Sequence, residues 1–289
     1  MLHVLQNSAG LVLGATAALG LIVGSFLNVV IHRLPARLEF DWRRQCDELA
    51  GGGAPPPQPS PPGLVRPGSH CPHCGHAITA LENVPVLSYL VLRGRCSACG
   101  ERISWRYPVV ELMTGTLSVL VIWHFGVGIA GATALLLTWG LVALAWIDVD
   151  HQILPDAIVL PLLWIGLLVN IDGTFTDLPS AVIGAAAGYL SLWLVYHVFR
   201  LITGKEGMGY GDFKLFAVFG AWLGWQLLPL IILLSAAAGA VIGLAGIVAL
   251  GRDRNVPIPF GPYLAIAGWI AMLWGDDITG AYLRFVGIP

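Results

Sequence analysis

Charge is what this sequence has least of. Only 11% of its 289 residues are Asp, Glu, Lys or Arg, while 56% are hydrophobic. An ordinary soluble domain carries about 25% charged residues, so that class is excluded. A net charge of −2 leaves no large basic surface, and nucleic acid is therefore not an expected partner. No HExxH run occurs, which excludes a zinc peptidase of that design. Between residues 33 and 106 no strand leads into a glycine-rich turn, so a nucleotide-fold cofactor site has no support there. Neither Lys nor Arg precedes Gly10. The first apolar run, 10–31, thus lacks the basic start of a secretory signal and reads as a retained membrane helix.

What the chain does have is long apolar runs, several near the roughly 20 residues that cross a bilayer as a helix. Membrane helices are expected near 9–32, 107–127, 130–149, 156–171, 179–202, 213–225, 227–250 and 259–275. The sixth is short for an untilted span, and either breaks or merges with the seventh in a tight turn. The expected fold is an all-α polytopic membrane protein of about eight transmembrane helices, with a cytoplasmic zinc-ribbon-like loop domain after the first. Three parts follow: 1–32, the first membrane helix; 33–106, the loop domain; and 107–289, a multi-helix membrane domain.

Basic residues orient such a chain. Nine of the fifteen lie between Arg33 and Arg106. Arg200, Lys205 and Lys214 flank a second loop, and Arg252 and Arg254 lie in a third. With eight spans these fall on one side, leaving Arg284 opposite. Fourteen against one places that side, and the 148–156 loop with it, in the cytoplasm. The 170–178 loop has acids and no basic residue, as an outer loop should.

Within 33–106, the polar stretch 33–45 reads as a helix at the membrane surface. Residues 51–63 are rich in Gly and Pro and read as a linker. Then come Cys71-Pro72-His73-Cys74 and Cys96-Ser97-Ala98-Cys99, two C-x-x-C knuckles with 21 residues between them. Four thiolates on two tight turns can close a tetrahedral zinc site with no open position, which would organise the loop rather than catalyse. A disulfide conflicts with the cytoplasmic placement. The alternative is four reduced cysteines in a small core. Cys46 lies outside the pattern, and His73 and His76 are nearby substitute ligands.

Acids at the ends of membrane helices demand a reason. The candidates are Asp148, Asp150 and Asp156 in one stretch, and Glu206 and Asp212 in another. A carboxyl pair can hydrolyse a peptide bond, one group deprotonating water while the other, protonated, polarises the carbonyl. Asp148 and Asp150 make a poor pair on one helix, because their directions diverge by roughly 200°. Asp212 has Gly209 and Gly211 beside it, which permit close approach of backbone or substrate. Other roles stay open: Asp156 follows Pro155 as at an ordinary helix start, Asp150 can be a solvated loop acid, and Asp212 can cap its helix.

Five features in this order carry a resemblance. They are Gly24-Ser25-Phe26-Leu27-Asn28-Val29-Val30-Ile31-His32-Arg33-Leu34-Pro35, the two knuckles, Arg106-Tyr107-Pro108 with Glu111, the stretch 148–156, and Gly209-Tyr210-Gly211-Asp212-Phe213-Lys214. Together they resemble the type IV prepilin peptidases, bifunctional leader peptidases and N-methyltransferases of pilus and type II secretion systems. The resemblance implies an aspartic protease with catalytic Asp148 and Asp212 and an active-site loop holding Gly209, Gly211 and Lys214. It implies prepilin and pseudopilin substrates, cut after a glycine at the cytoplasmic face of a bacterial inner membrane. It also implies methylation of the new N-terminus by S-adenosylmethionine, for which Arg33, His32 and Glu39 are candidates. The cysteine pattern, Cys71, Cys74, Cys96 and Cys99, matches many members. The Pro-rich stretch 54–62 receives no role.

Helix geometry adds a further expectation. Asp148 should end one helix and Asp212 begin another, so helix dipoles would favour ionisation of Asp212 and leave the shared proton on Asp148. Two other classes compete with the protease family named above. A presenilin-like protease shares GxGD but leaves the cysteine loop and the first-helix motif unexplained. A transporter with a regulatory zinc loop would use the two aspartates to bind ions.

Overall fold

A computed structural model describes residues 9–50, 60–250 and 259–287. The linker's residues 51–59 and the loop bearing Arg252 and Arg254 lie outside the described residues. The chain divides into two compact units, residues 1–123 and 124–289.

The first unit opens with helix α1, Ala9–Leu49. Its 41 residues reach about 61 Å at 1.5 Å per residue, twice the roughly 30 Å apolar thickness of a bilayer. The expected separate surface helix is therefore the continuation of the first membrane helix. The apolar run ends near residue 32, but a change of composition does not end a helix. Residues 36–49 are mostly good helix formers, and two i,i+4 pairs, Glu39–Arg43 at 2.5 Å and Arg44–Glu48 at 3.2 Å, line the extension. Pro35 sits inside the helix and forfeits one backbone bond.

After a short helix, α2 (Leu87–Val91), comes α3 (Arg106–Phe125). Helices α1 and α3 pack closely because α1 is glycine where they meet. A methyl group at Gly24 would lie 2.7 Å from the Glu111 Cα. Among the described residues β pairing is limited to two antiparallel bridges, His70–Ala77 and Arg95–Arg102. Each closes the base of one cysteine knuckle.

The second unit holds α4 (Ile129–His151), α5 (Asp156–Val169), a 3-10 turn (Asn170–Asp172), α6 (Leu178–Thr203), α7 (Tyr210–Leu223), α8 (Leu228–Leu250) and α9 (Gly261–Val286). All eight expected apolar segments are helical. Among the described residues five helices are long and apolar enough to cross a membrane: α1, α3, α4, α6 and α8 over Leu228–Gly246. With 14 residues each, α5 and α7 reach only about 21 Å. The sixth segment does not break, and a tight turn over 224–227 joins it to the seventh. It ends at Gly224, and α8 starts four residues later.

Helix α7 is the centre of this unit, with residues 212–223 buried apart from Lys214. A helix apolar on all sides must be surrounded, and α5, α6 and α9 surround it. Against α6 the approach is backbone to backbone: a methyl group at Gly184 would lie 2.5 Å from the Gly220 carbonyl oxygen. Small residues that let helices touch this closely are the usual device of packing in lipid. Against α5, the Trp222 indole donates to the Leu162 carbonyl at 2.8 Å. Asn170, fully buried, joins the same end. Its amide nitrogen donates to the carbonyls of Ala221 and Trp222, both at 2.9 Å, and its oxygen accepts from Phe175 and Thr176.

Candidate active site and metal centre

Asp148 lies in the last turn of α4, which stops because Gln152 adopts left-handed geometry (φ 54°) and donates its amide to the Asp148 carbonyl. Its side chain is 5% exposed, whereas Asp150 is exposed on the other face. The 200° divergence expected of these two acids is thus realised. Asp212 is the third residue of α7 and is 7% exposed. The two carboxylates come from α4 and α7, and Leu154 lies against both Gly211, beside Asp212, and Gly261, whose amide holds Asp148. A buried polar group needs partners, and each carboxylate has one backbone donor. Asp212 Oδ2 accepts from the Gly209 amide at 3.2 Å, and Asp148 Oδ2 accepts from the Gly261 amide at 3.0 Å.

The helix positions are those expected, with one addition. Asp212 does begin a helix and Asp148 does end one, but Asp148 also receives the first amide of α9. The α9 N-terminus therefore offsets part of the unfavourable α4 C-terminus at Asp148, while Asp212 has only a favourable one, so the dipole difference is reduced and keeps its sign. Asp212 caps its own helix through the Gly209 amide, as one of the readings left open for it has it. Sequence reasoning misses Gly261, although Gly261-Pro262 ahead of an apolar run is a helix-start signal.

The neighbouring loop residues differ from one another. Gly211 and Lys214 belong to α7 and not to a loop. A methyl group at Gly211 would lie 2.8 Å from Leu154 Cβ, so this glycine accommodates the α4–α5 connection. At Gly209 the nearest atom would be Asp212 Oδ2 at 3.7 Å, and φ is −83°. Nothing in the described packing requires glycine there, since a methyl group would make only ordinary contact. Lys214 is directed at Asp156, with its ammonium 2.8 Å from both carboxylate oxygens. Asp156 thus ties α5 to α7, where only a helix start was expected. Glu206 pairs with Arg200 at 3.6 Å on the surface.

In the first unit the four cysteines converge. The sulfurs of Cys71, Cys74, Cys96 and Cys99 all lie within 4.8 Å of one another, with Cys71–Cys99 at 3.9 Å and Cys74–Cys96 at 4.0 Å. Zinc–sulfur bonds of about 2.3 Å in a tetrahedron put sulfurs about 3.8 Å apart, so the donor set fits zinc. Both knuckles have one backbone design: Cys71 N–H to His76 O and Gly75 N–H to Cys71 O, then Cys96 N–H to Glu101 O and Gly100 N–H to Cys96 O. The returning glycines have φ of 71° and 72°, which favours a residue without Cβ. The C-x-x-C-G repeat is the signal for this turn, and ligand spacing alone overlooks it. Amides of Cys74 and His73 pull the Cys71 thiol down to about 7, and those of Cys99 and Ala98 lower Cys96, while desolvation and the neighbouring sulfurs push Cys99 up to about 12, so Cys71 and Cys96 are the readier thiolates.

Glu82 braces the two knuckles. It accepts from the Thr79 amide and hydroxyl, both at 2.9 Å, and from the Ser97 hydroxyl, and lies 3.4 Å from His76 Nε2. Donation from Ser97 and Thr79 holds its carboxyl down at about 2. His76 is thus engaged with Glu82, away from the ligand role considered for it.

The first-helix motif and the Arg106–Glu111 motif meet inside this unit. Asn28 donates to the Tyr107 carbonyl at 3.1 Å, and the His32 ring stacks on Tyr107 with centroids 5.6 Å apart. Buried Glu111 accepts from the Val86 amide at 2.8 Å and from Ser25. Arg33 donates to the carbonyls of Gly63, Pro67 and Gly68, and Glu39 pairs with exposed Arg43. The methyl-transfer candidates thus have architectural partners. The described residues assemble no strand-to-turn cradle for an adenosyl group.

Residues 18–125 match the family described as the bacterial peptidase A24 N-terminal domain, and residues 135–244 match the type IV leader peptidase family. A prepilin leader peptidase/N-methyltransferase of Stutzerimonas stutzeri is 58% identical over 92% of this chain and 92% of its own length. Its namesake in Pseudomonas aeruginosa is 57% identical over 94% and 93%, and that of Xanthomonas campestris is 49% identical over 98% and 99%. No solved structure matches at a significant level. With identity of this order over nearly the whole length, the chain belongs to the prepilin leader peptidase/N-methyltransferase family.

Proposed function

We propose that this chain cuts the leader from type IV prepilins and pseudopilins with Asp148 and Asp212, and then N-methylates the new terminus. The observation that carries the protease half is the buried pair from α4 and α7, each carboxylate holding one oxygen on a backbone amide. Among the described residues, that leaves Oδ1 of each free for water and substrate. One carboxylate takes a proton from water as its oxygen bonds to the scissile carbonyl carbon. The other, protonated, donates to the carbonyl oxygen. The tetrahedral adduct then expels the amine, which leaves with a proton from the pair. The names of the relatives favour this reading over an ion-binding transporter.

The protein would lie in a bacterial inner membrane, with 1–32 as first membrane helix, 33–106 as cytoplasmic loop domain and 107–289 as protease domain. Its active site would face the cytoplasm, as the basic-residue asymmetry indicates. Cys71, Cys74, Cys96 and Cys99 would hold a structural zinc ion. S-adenosylmethionine would supply the methyl group, without residues assigned to it. The test is cleavage of a full-length prepilin by the Asp148→Asn and Asp212→Asn variants in membranes. Both should be inserted normally and inactive, and retained cleavage by either would overturn the dyad.

A further inference from the structure

The start of α9 can be accounted for donor by donor. The first four amides of a helix have no carbonyl within it. In α9, the Tyr263 and Leu264 amides both donate to the Phe260 carbonyl at 3.1 Å, and Pro262 has no N–H to place. That leaves Gly261, whose amide spans 113 residues of sequence to reach Asp148 Oδ2 at 3.0 Å. The approach depends on the missing side chain. A methyl group at residue 261 would lie 2.6 Å from Asp148 Oδ2, 3.1 Å from its Cγ and 3.2 Å from Leu154 Cδ2. Ordinary contact begins near 3.4 Å, so the carboxylate would have to move by about 0.8 Å, and a 95% buried side chain has little room to do so.

We propose that Gly261 is a positioning residue for the cleavage reaction. Its amide pins Oδ2 and so turns Oδ1 of Asp148 toward the reacting water and carbonyl. Helix α9 thereby completes the active site from beyond the segment matched to the type IV leader peptidase family, which ends at residue 244. The inference rests on the reading of Asp148 as half of the catalytic pair. A structural role alone, with Asp148 serving only as a cap for α9, would make Gly261 matter for stability and not for turnover.

The experiment uses the full chain in lipid nanodiscs with full-length prepilin. A second assay measures methylation of a pilin cut beforehand, and reports folded enzyme. Gly261→Ala should lower kcat for cleavage about 100-fold, the usual cost of misplacing a reacting group by about 1 Å. KM and methylation should change by less than about twofold. A second variant replaces the 260–261 amide by an ester, which removes the N–H and adds no atom. It should lower kcat about tenfold, in keeping with loss of one hydrogen bond to a charged group, and it decides the matter if Gly261→Ala does not fold. Unchanged kcat in both variants would overturn the proposal, and so would a parallel loss of cleavage and methylation in both. Cleavage by Asp148→Asn would instead overturn the dyad reading, which separates the two failures.

Discussion

Replacing Asn170 by Asp changes one side-chain NH2 to an oxygen and leaves shape almost untouched, yet the structure predicts a large effect. Asn170 is fully buried and makes four hydrogen bonds, two as donor and two as acceptor. The acceptor pair, from the Phe175 and Thr176 amides, survives in Asp. The donor pair does not. The carbonyls of Ala221 and Trp222, in the last turn of α7, lose their partner and face a carboxylate oxygen. Each orphaned buried carbonyl costs about 1–3 kcal/mol, so the loss is about 2–6 kcal/mol. For a chain of this size, at about 2.1 cal/mol/K of unfolding entropy per residue, that lowers the thermal midpoint by roughly 3–10 °C. Thermal unfolding in detergent, followed by helical circular dichroism, measures it. Asn170 lies at the far end of α5 from Asp156, about 21 Å along the helix. Turnover per folded molecule at low temperature should therefore stay at the wild-type level. A midpoint within about 1 °C of wild type, well short of the shift expected, would refute the account of Asn170 as the end-stop of α7.

The two glycines of GxGD should separate. Gly209→Ala, with 3.7 Å of clearance, should leave the thermal midpoint within about 1 °C while slowing prepilin cleavage. Gly211→Ala should lower the midpoint by its clash with Leu154 at 2.8 Å, at about 1–3 kcal/mol. Gly184→Ala places a methyl group 2.5 Å from the Gly220 carbonyl, backbone against backbone, and should reduce the yield of folded protein, as size exclusion of the detergent-extracted chain will report. Cys71→Ser should lower bound zinc below the wild-type level on elemental analysis, and equal zinc content would rule out the four-cysteine ligand set. Glu82 has its carboxyl held at about 2 instead of 4.5. Its contribution to the knuckles is full above pH 4.5 and is lost as pH falls toward 2. The exchange protection of the Thr79 amide should fall over that window in wild type and stay flat in Glu82→Gln.

The sequence by itself determined the features that local pattern can encode. Runs of apolar residues located the eight long helices, though not the short α2, because a bilayer tolerates few other structures. Two C-x-x-C turns announced the converging thiols, since four ligands on two turns need only four residues and a spacer. The roughly 100° step of a helix is enough to separate Asp148 from Asp150, because it depends on nothing beyond their spacing. Continuation of α1 past residue 32 is not legible in the same way. Hydropathy marks where the apolar run ends, whereas a helix obeys backbone propensity.

Tertiary structure alone decided which groups complete the pair. The partners of Asp148, Asn170 and Lys214 lie 113, 51 and 58 residues away, beyond the reach of any periodicity. It made Lys214 a partner of Asp156, and it gave Asp148 a helix N-terminus of its own through Gly261. That last contact weakens the dipole difference between the two acids without reversing it. A carboxylate's neighbours follow from how helices pack, and packing is settled by close approaches such as Gly184 against Gly220 and Gly261 against Asp148, which a linear pattern of residue types does not specify.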